Sequence, residues 1–393
     1  MQYNFSSKLN GVSGSATREV LKLLTRPEII SFAGGLPATE CLACSSIADT
    51  ANQILNSNSS LKALQYGATE GIESLRESVV NFSGGVGIKN ITKDNALIIS
   101  GGQQGIDLAF RAFLDKGDTV LVENPTYLAV LPMIASHGAK VVGVKAEDNG
   151  ICVLDLEQKI KKHKPKLIYV VPTFSNPTGK TYPVKTRKAI ANLAKKYNVV
   201  VIEDDPYSRL RFEGEPQPAL KSFDTSGHVI YISSFSKILS PGLRVGFAIA
   251  TPEILKKMVI VKQGSDLHTS NLSQCIVDKF LATNAIEKNI KDSLPIYKAK
   301  KDTMLKAIKE YMPKSFKHTY PEGGLFIWGE FESSINTVEL FKKAIDSNVA
   351  YIQGAVFYPK KGEGLNTLRL NYSNVKKEDI ERGIKTLGEI FKG

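Results

Sequence analysis

Cysteine is scarce in this chain of 393 residues, and its four cysteines are not spaced as a structural zinc site. Cys41 and Cys44 form a C-x-x-C pair, but zinc needs four ligands, and no second pair or nearby histidine pair supplies the others. No βαβ pattern surrounds the pair, which disfavours a thiol redox motif. The sequence therefore predicts free thiols in a reducing compartment and no metal site.

Long apolar runs are missing as well. No stretch approaches the ~18 apolar residues that a membrane-spanning helix requires. Residues 1–10 are polar and lack the apolar segment that follows the basic start of a secretory signal. We therefore expect a cytoplasmic protein without membrane contact.

Positive charge is in excess, with a formal net charge of +12, but it is not concentrated in one block. Lysines occur in scattered pairs such as Lys161-Lys162 and Lys195-Lys196. Neither a recognition-helix pattern nor a basic run with interleaved aromatic residues is present. The distribution predicts a solvated basic surface rather than a nucleic-acid partner, and a positive field would also suit anionic substrates and a phosphate cofactor.

Strand and helix patterns alternate from about residue 95 onwards. Strands are predicted over 96–100, 119–122, 140–144, 167–171, 199–202, 229–233 and 244–249. Helices are predicted over 127–137, 185–197, 252–263, 271–282 and 296–311. Residues 199–202 are apolar on both faces, as a central buried strand should be. The pattern predicts an α/β fold in which helices cover both faces of a mostly parallel central sheet.

The sequence also suggests a division into domains. Residues 1–50 read as an arm with a helix over 17–24, and residues 51–290 as a large domain that contains the sheet. Residues 291–393 mix strands and helices and predict a smaller α+β domain. We expect the arm to pack with this smaller domain.

Polar clusters follow four of the predicted strands, and the carboxyl ends of such strands are where open α/β sheets bind ligands. The clusters are Gly101–Gln104, Pro172–Gly179, Glu203–Tyr207 and Ser233–Lys237. An aldehyde cofactor with a pyridine ring and a phosphate needs a lysine amine, an acid beside the ring nitrogen, donors to the ring hydroxyl and a helix N-terminus. The four strand ends supply each of these groups.

Together with Ser-Phe-Ala-Gly-Gly-Leu-Pro at 31–37 and Leu-Arg-Leu at 368–370, these motifs resemble the fold-type I, pyridoxal-phosphate (PLP) dependent aminotransferases of class I/II. Within them the chain resembles the 2-aminoadipate and kynurenine aminotransferase branch. Each motif alone is weak, but their joint order and spacing along nearly the whole chain is specific. The resemblance implies transfer of the amino group of an L-amino acid, such as 2-aminoadipate, glutamate or an aromatic amino acid, to a 2-oxo acid such as 2-oxoglutarate.

The resemblance also assigns catalytic roles. Lys237 is expected to carry PLP as a Schiff base and to move the substrate α-proton. Asp204 matches the acid that pairs with the pyridine nitrogen. Tyr207 and Asn176 match the groups that bond the ring hydroxyl, and Asn176 often also meets the substrate carboxylate.

Further positions match the phosphate site and the ring. The phosphate is expected at Gly102, Gln103, Ser234, Ser236 and Arg244. Tyr127 matches the aromatic residue that stacks on the pyridine face. Tyr66 resembles the tyrosine that reaches the phosphate from a neighbouring subunit, which implies a homodimer with shared active sites.

Substrate contacts follow from the same resemblance. Arg369 matches the arginine that binds the α-carboxylate, since a planar guanidinium can donate two parallel hydrogen bonds to a carboxylate. Gly35 matches the glycine loop that lines the substrate pocket. Arg18 either binds an acidic substrate side chain or is a solvated helix arginine paired with nearby acidic residues. Residues 38–43 depart from the Phe-Pro pair usual in the family, so the preferred amino donor stays open.

Two rival interpretations remain. PLP enzymes of this fold also catalyse β-elimination and decarboxylation with the same lysine and acid, so the fold does not decide the reaction. Some transcription regulators join such a domain to a winged-helix DNA-binding domain. Here only about 30 residues precede the Gly-Gly-Leu-Pro motif, which disfavours a regulator.

Overall fold

Strands and helices alternate along the chain, of which the computed structural model describes residues 3, 5, 6, 26–148 and 150–393. The strands of these residues are β1 (Ile30–Ser31), β2 (Ala96–Ile99), β3 (Thr119–Asn124), β4 (Lys140–Glu147), β5 (Gly150–Ile151), β6 (Leu167–Val170), β7 (Val200–Asp204), β8 (Val229–Ser234), β9 (Gly246–Ile249), β10 (Lys317–His318), β11 (Phe326–Glu330), β12 (Val349–Ala350), β13 (Ile352–Gln353) and β14 (Thr367–Asn371). The helices are α1 (Cys44–Leu55), α2 (Ser60–Leu64), α3 (Glu73–Ser83), α4 (Gly102–Phe113), α5 (Val130–Ser136), α6 (Val153–His163), α7 (Val184–Tyr197), α8 (Pro252–Gln263), α9 (Asn271–Ala282), α10 (Ala285–Tyr311), α11 (Thr337–Asp346) and α12 (Lys377–Lys392).

The largest sheet has the strand order β2-β9-β8-β7-β6-β3-β4-β5. Neighbouring strands from β8 to β4 run parallel, whereas β9 runs antiparallel to both β2 and β8, and β5 antiparallel to β4. The mostly parallel sheet predicted from the sequence is therefore confirmed. Its parallel strands all end at one edge, which collects the polar residues that follow them.

Two layers of apolar side chains cover the sheet, one on each face. Along β3, Val120 and Val122 join one buried cluster with Phe110 of α4. Leu121 points the other way and joins a second cluster with Ile190 of α7. Successive side chains of a strand alternate between faces, so both faces of the sheet carry helices, as predicted.

Several predicted boundaries differ from the structure, and the largest differences at the starts of elements have a visible cause. Helix α5 begins at Val130 rather than 127, because the backbone N–H of Thr126 bonds to the oxygen of Phe357 (2.9 Å) and holds the preceding turn. Strand β9 begins at Gly246, because Arg244 adopts a left-handed conformation (φ +52°). Helix α10 begins at Ala285 and continues through Pro295, whose missing N–H the helix tolerates. The helix predicted over 17–24 lies outside the described residues.

A second sheet, of order β10-β11-β14-β13, is antiparallel and belongs to the C-terminal part of the chain. Its core contains Ile327 and Leu370, packed with Ile384 of α12. Strand β1 pairs in parallel with β12, and Phe32 is buried in this same core. The segment just before the Gly-Gly-Leu-Pro motif is thus attached to the C-terminal part, and the motif itself lies between the two sheets.

Candidate active site

A cavity of about 260 Å³ lies at the edge where the parallel strands end. All of the predicted site residues except Tyr66 and Arg18 line it: Gly35, Gly102, Gln103, Tyr127, Asn176, Asp204, Tyr207, Ser234, Ser236, Lys237, Arg244 and Arg369. Tyr66 lies elsewhere on the surface, 79% exposed, with its ring edge against His268. Arg18 lies outside the described residues.

Strand pairing brings the phosphate-site candidates together. Gly246 of β9 is paired with Ser234 on one side and with Ile99 on the other, so the turn after β2 lies beside the end of β8. Arg244 donates a hydrogen bond to the backbone oxygen of Ser100 (2.9 Å). Gly101 has φ +89°, and a Cβ there would lie 2.4 Å from an Arg244 nitrogen, so the turn requires glycine at this position.

Three kinds of anion-binding group meet at this turn. Gly102 begins the 12-residue helix α4, whose first backbone N–H groups have no partner within the helix. The Ser234 hydroxyl donates to the Ser236 hydroxyl (2.8 Å) and accepts from the Ser236 backbone N–H (3.1 Å). The guanidinium of Arg244 completes the set. Helix N–H groups, hydroxyls and a cation together suit a phosphate.

Lys237 follows β8 and reaches into the cavity. Its Nζ donates a hydrogen bond to the backbone oxygen of Gly35 (2.7 Å). Loss of solvent around the amine, with the nearby charges of Arg244 and Arg369, lowers the pKa of Lys237 to about 8. A much larger fraction of this amine is therefore neutral near pH 7 than of an ordinary lysine, and the neutral form is the nucleophile and the base.

Asp204 is the last residue of β7, and its carboxyl group is buried. It accepts a hydrogen bond from the hydroxyl of Tyr169 (2.6 Å). Burial raises the pKa of Asp204 to about 7, the bond from Tyr169 opposes that rise, and the charge of Asp205 adds to it. A buried carboxyl of this kind is stabilised as the anion when a cation, such as a protonated ring nitrogen, lies beside it.

Two phenols face the same space. Burial raises the pKa of Tyr127 to about 12, and it raises the pKa of Tyr207 further still. Both phenols therefore remain protonated donors at neutral pH. The Tyr207 side chain interacts with Asn176, whose Oδ1 accepts from Arg369 (2.7 Å), so the phenol and the amide are held together.

Arg369 lies on β14 and lines the same cavity as Lys237. It donates to Asn176 Oδ1 and to the backbone oxygen of Ala33 (2.5 Å), and its guanidinium lies over the Phe326 ring (4.3 Å to the centroid). Burial lowers the pKa of Arg369 to about 10, so it stays a cation at neutral pH. Its Nε is buried and finds no partner within the described part of the chain. A buried donor left in this state suits a ligand carboxylate.

The sequence did not predict two further features of the cavity. Tyr169, the partner of Asp204, was missed, although a tyrosine in the otherwise apolar strand 167–170 signals a buried hydroxyl that needs a partner. The apolar wall was also missed. It includes Leu128 and Ile352, and Ile352 is paired with Arg369 between β13 and β14. Neither residue carries a local signal that separates a pocket lining from ordinary core.

The residues present fit PLP. An amine with a lowered pKa, a buried acid, two phenols beside an amide and an anion-binding turn match the aldehyde, the ring nitrogen, the ring hydroxyl and the phosphate of that cofactor. Arg369 also lines the cavity, and its Nε has no partner among the described residues, so its guanidinium suits a carboxylate.

Comparison with known proteins agrees with this fit. The family described as aminotransferase class I and II matches residues 27–387. The chain is 39% identical over 393 residues to aromatic-amino-acid aminotransferase 1 of Thermococcus litoralis, covering 99% of this chain and 94% of that protein. It is 38% identical over 392 residues to 2-aminoadipate transaminase of Thermus thermophilus, covering 99% and 96%.

A solved structure is similar along the whole chain. The crystal structure of Pyrococcus horikoshii kynurenine aminotransferase in complex with PMP has a TM-score of 0.94 and 40% identity, with 99% of this chain and 96% of that chain covered. The chain therefore belongs to the class I and II aminotransferase family, whose fold-type I architecture and dependence on pyridoxal phosphate it shares.

Proposed function

We propose that this aminotransferase takes the amino group from aromatic L-amino acids, 2-aminoadipate or glutamate and delivers it to a 2-oxo acid such as 2-oxoglutarate. The observation that carries the proposal is the guanidinium of Arg369, whose buried Nε has no partner among the described residues, beside the apolar side chain of Ile352. An α-carboxylate at the arginine directs the substrate side chain along the wall that includes Leu128. The activities named for the similar proteins support the same range of donors.

The reaction depends on the bound cofactor and on the amine of Lys237. When bound, PLP supplies an aldehyde for covalent attachment and a ring that accepts electrons from the substrate α-carbon. Lys237 would hold the cofactor through its side-chain nitrogen. Once the substrate amine has replaced it, the free amine would take the substrate α-proton and give it up at the carbon that had carried the aldehyde oxygen. With a pKa of about 8, this amine both accepts and gives up a proton near neutral pH.

The remaining residues bind and orient. Asp204 keeps the ring nitrogen protonated, and Tyr169 holds the carboxyl in place. Tyr207 and Asn176 would donate to the ring hydroxyl, and Tyr127 would pack on the ring face. The phosphate would be held by Gly102, Gln103, Ser234, Ser236 and Arg244. Gly35 contributes the backbone of the loop above Lys237.

A half-reaction tests the proposed donors. The PLP-loaded enzyme receives one amino acid at a time, without any 2-oxo acid, while its visible spectrum is recorded. We expect L-phenylalanine, L-kynurenine, L-2-aminoadipate and L-glutamate each to remove the absorbance of the lysine-linked cofactor and to yield the matching 2-oxo acid, one per active site. D-phenylalanine serves as the matched control and should leave the spectrum unchanged.

Other products would contradict the proposal. Pyruvate and ammonia from L-serine would indicate β-elimination, and an amine with carbon dioxide would indicate decarboxylation. A response to small aliphatic amino acids alone would leave transamination intact and overturn the proposed donors.

We also propose a homodimer with shared active sites. Leu61 and Leu64, on and at the end of α2, are 80% and 70% exposed, and Tyr66 beyond them is 79% exposed. Leu267, next to the His268 that Tyr66 contacts, adds to this surface. A cluster of large exposed apolar side chains is typical of an interaction site, and a second copy of the chain is the occupant we propose. In the dimer, Tyr66 would reach the partner's phosphate.

Hybrid dimers test this assignment. Tyr66→Phe should weaken PLP binding about tenfold, the size of a hydrogen bond to a charged group. After Tyr66→Phe and Lys237→Ala subunits are mixed and reassembled, each hybrid has one site with both intact residues. Activity at limiting PLP should therefore exceed the mean of the two parents. Activity equal to that mean, or a monomer in sedimentation, would contradict the shared site.

The proposed domain division is 1–50, 51–290 and 291–393. Helix α10 supports a boundary within its own length, because Ile286, Ile290 and Tyr297 pack with the central sheet, while Met304 and Ile308 pack with the C-terminal core. Within the described residues, no helix combines the length and apolarity that a membrane crossing demands. We propose a cytoplasmic location on a different ground, which is that all four cysteines are free thiols.

A further inference from the structure

Lys262 is a buried charge that none of the roles above uses. It lies near the end of α8, and its side chain is 0% exposed. Its Nζ lies within hydrogen-bond distance of both carboxylate oxygens of Asp266 (2.8 and 3.0 Å), of Gln104 Oε1 (2.9 Å) and of Thr269 Oγ1 (3.1 Å). An ammonium group is costly to bury, so four acceptors around it indicate that this position is tightly specified.

The two main acceptors of Lys262 converge on one residue, Ser100. The Gln104 Oε1 atom accepts from the Ser100 backbone N–H (2.7 Å), and its Nε2 donates to Asp266 (2.7 Å). The Ser100 hydroxyl donates to the same Asp266 oxygen (2.7 Å). The amide of Gln104 is therefore oriented by a cation at its oxygen and an anion at its nitrogen.

Ser100 is also held from the cavity side, where its backbone oxygen accepts from Arg244 (2.9 Å). Its N–H, its hydroxyl and its oxygen are thus all fixed. The next residue, Gly101, has no side chain to restrain its left-handed backbone, and Gly102 then begins α4. The contacts on Ser100 therefore fix the start of the turn that leads to the N–H groups of Gly102 and Gln103.

We propose that Lys262, together with Asp266 and Gln104, is a positioning network that holds the phosphate-binding turn and thereby sets the enzyme's affinity for the phosphate of its cofactor. None of the three needs to touch the cofactor. The inference rests on the proposed assignment of the phosphate to Gly102, Gln103 and Arg244. It adds Lys262 and Asp266, which lie in none of the strand-end clusters, to the residues that support that site.

Affinities for PLP and for pyridoxal, which lacks the phosphate, test the network. The dissociation constants of both are measured by absorbance titration of the cofactor-free enzyme. Lys262→Met should weaken PLP binding about tenfold and change pyridoxal binding less than about twofold, because only the phosphate turn is loosened. The milder Ser100→Ala variant, which removes the hydroxyl bonds to Asp266 and Thr269, should weaken PLP about threefold with the same selectivity.

The matched control is Lys288→Met. Lys288 and Asp292 form an ion pair of the same i, i+4 spacing and length (2.8 Å), but on an exposed helix surface. Removing that ammonium should leave both dissociation constants at the wild-type values.

Two results would overturn the proposal. One is an affinity for PLP that stays at the wild-type value in both Ser100→Ala and Lys262→Met. If Lys262→Met does not fold, the result for Ser100→Ala alone decides. The other is an equal loss of affinity for PLP and pyridoxal, which would indicate a general loosening of the fold. If wild-type enzyme binds pyridoxal as tightly as PLP, the phosphate assignment itself fails instead, so the two failures are distinguishable.

Discussion

Replacing Lys237 by alanine should lower the rate of the half-reaction with L-phenylalanine on the order of 10⁴-fold or more. The substitution removes both the group that attaches to the cofactor and the amine that moves the α-proton, and acid–base transfer alone contributes on the order of 10²–10⁴. The remaining base candidates are phenols whose pKa values burial raises, Tyr127 to about 12. The rate is measured as single-turnover formation of phenylpyruvate by enzyme that has been saturated with PLP.

A small amine added to the solution should restore part of the lost rate in Lys237→Ala, because the cavity left by the side chain admits a replacement base. The matched control is Lys180→Ala. Lys180 follows the same Asn-Pro-Thr-Gly turn that carries Asn176, but its Nζ bonds away from the cavity, to the oxygen of Glu147 (3.0 Å) and to Asp148 (3.1 Å). It should stay within about threefold of wild type. A Lys237→Ala rate within tenfold of wild type would contradict the assignment.

The sheet was predictable because its parallel strands are apolar on both faces and alternate with helices, a pattern that few other folds produce. The position of β9 within the sheet was not predictable. Its four residues Gly246–Ile249 read as one more buried strand, and nothing local says that it runs antiparallel between β2 and β8. That insertion places Ser234 beside the turn after Ile99, so an important part of the site geometry depends on a pairing between residues far apart in the sequence.

The cavity residues were predictable to the extent that their chemistry leaves a local trace. Lys237 and Asp204 each follow a buried strand within a short polar cluster, and the cofactor requires both groups. Tyr169, 35 residues from Asp204, leaves a weaker trace. Lys262 leaves none, since its partner Gln104 is 158 residues away and a lysine on a helix is ordinarily exposed. Long-range polar contacts of this kind appear only once the backbone is in place.

Arginine 369 carries the second large expected effect. Arg369→Leu should lower kcat/KM for L-phenylalanine on the order of 10²–10³-fold, because removing one partner of a buried, hydrogen-bonded charge pair costs about 2–5 kcal/mol. Arg369→Lys should fall between leucine and wild type, since it keeps the charge but loses the planar fork that bonds Asn176 and the Ala33 oxygen at once. Steady-state kinetics with 2-oxoglutarate as acceptor give all three values.

Phenethylamine, which is phenylalanine without its carboxylate, separates carboxylate binding from damage to the site. If Arg369 grips the α-carboxylate through its free Nε, the leucine variant should lose most of the wild-type preference for phenylalanine over this amine and change little toward the amine itself. An equal loss toward both compounds would mean that Arg369 acts by supporting Asn176 and the loop at Ala33. In that case the substrate carboxylate must find another cation, and Arg18, the arginine that the sequence offers in the N-terminal arm, becomes the residue to substitute next.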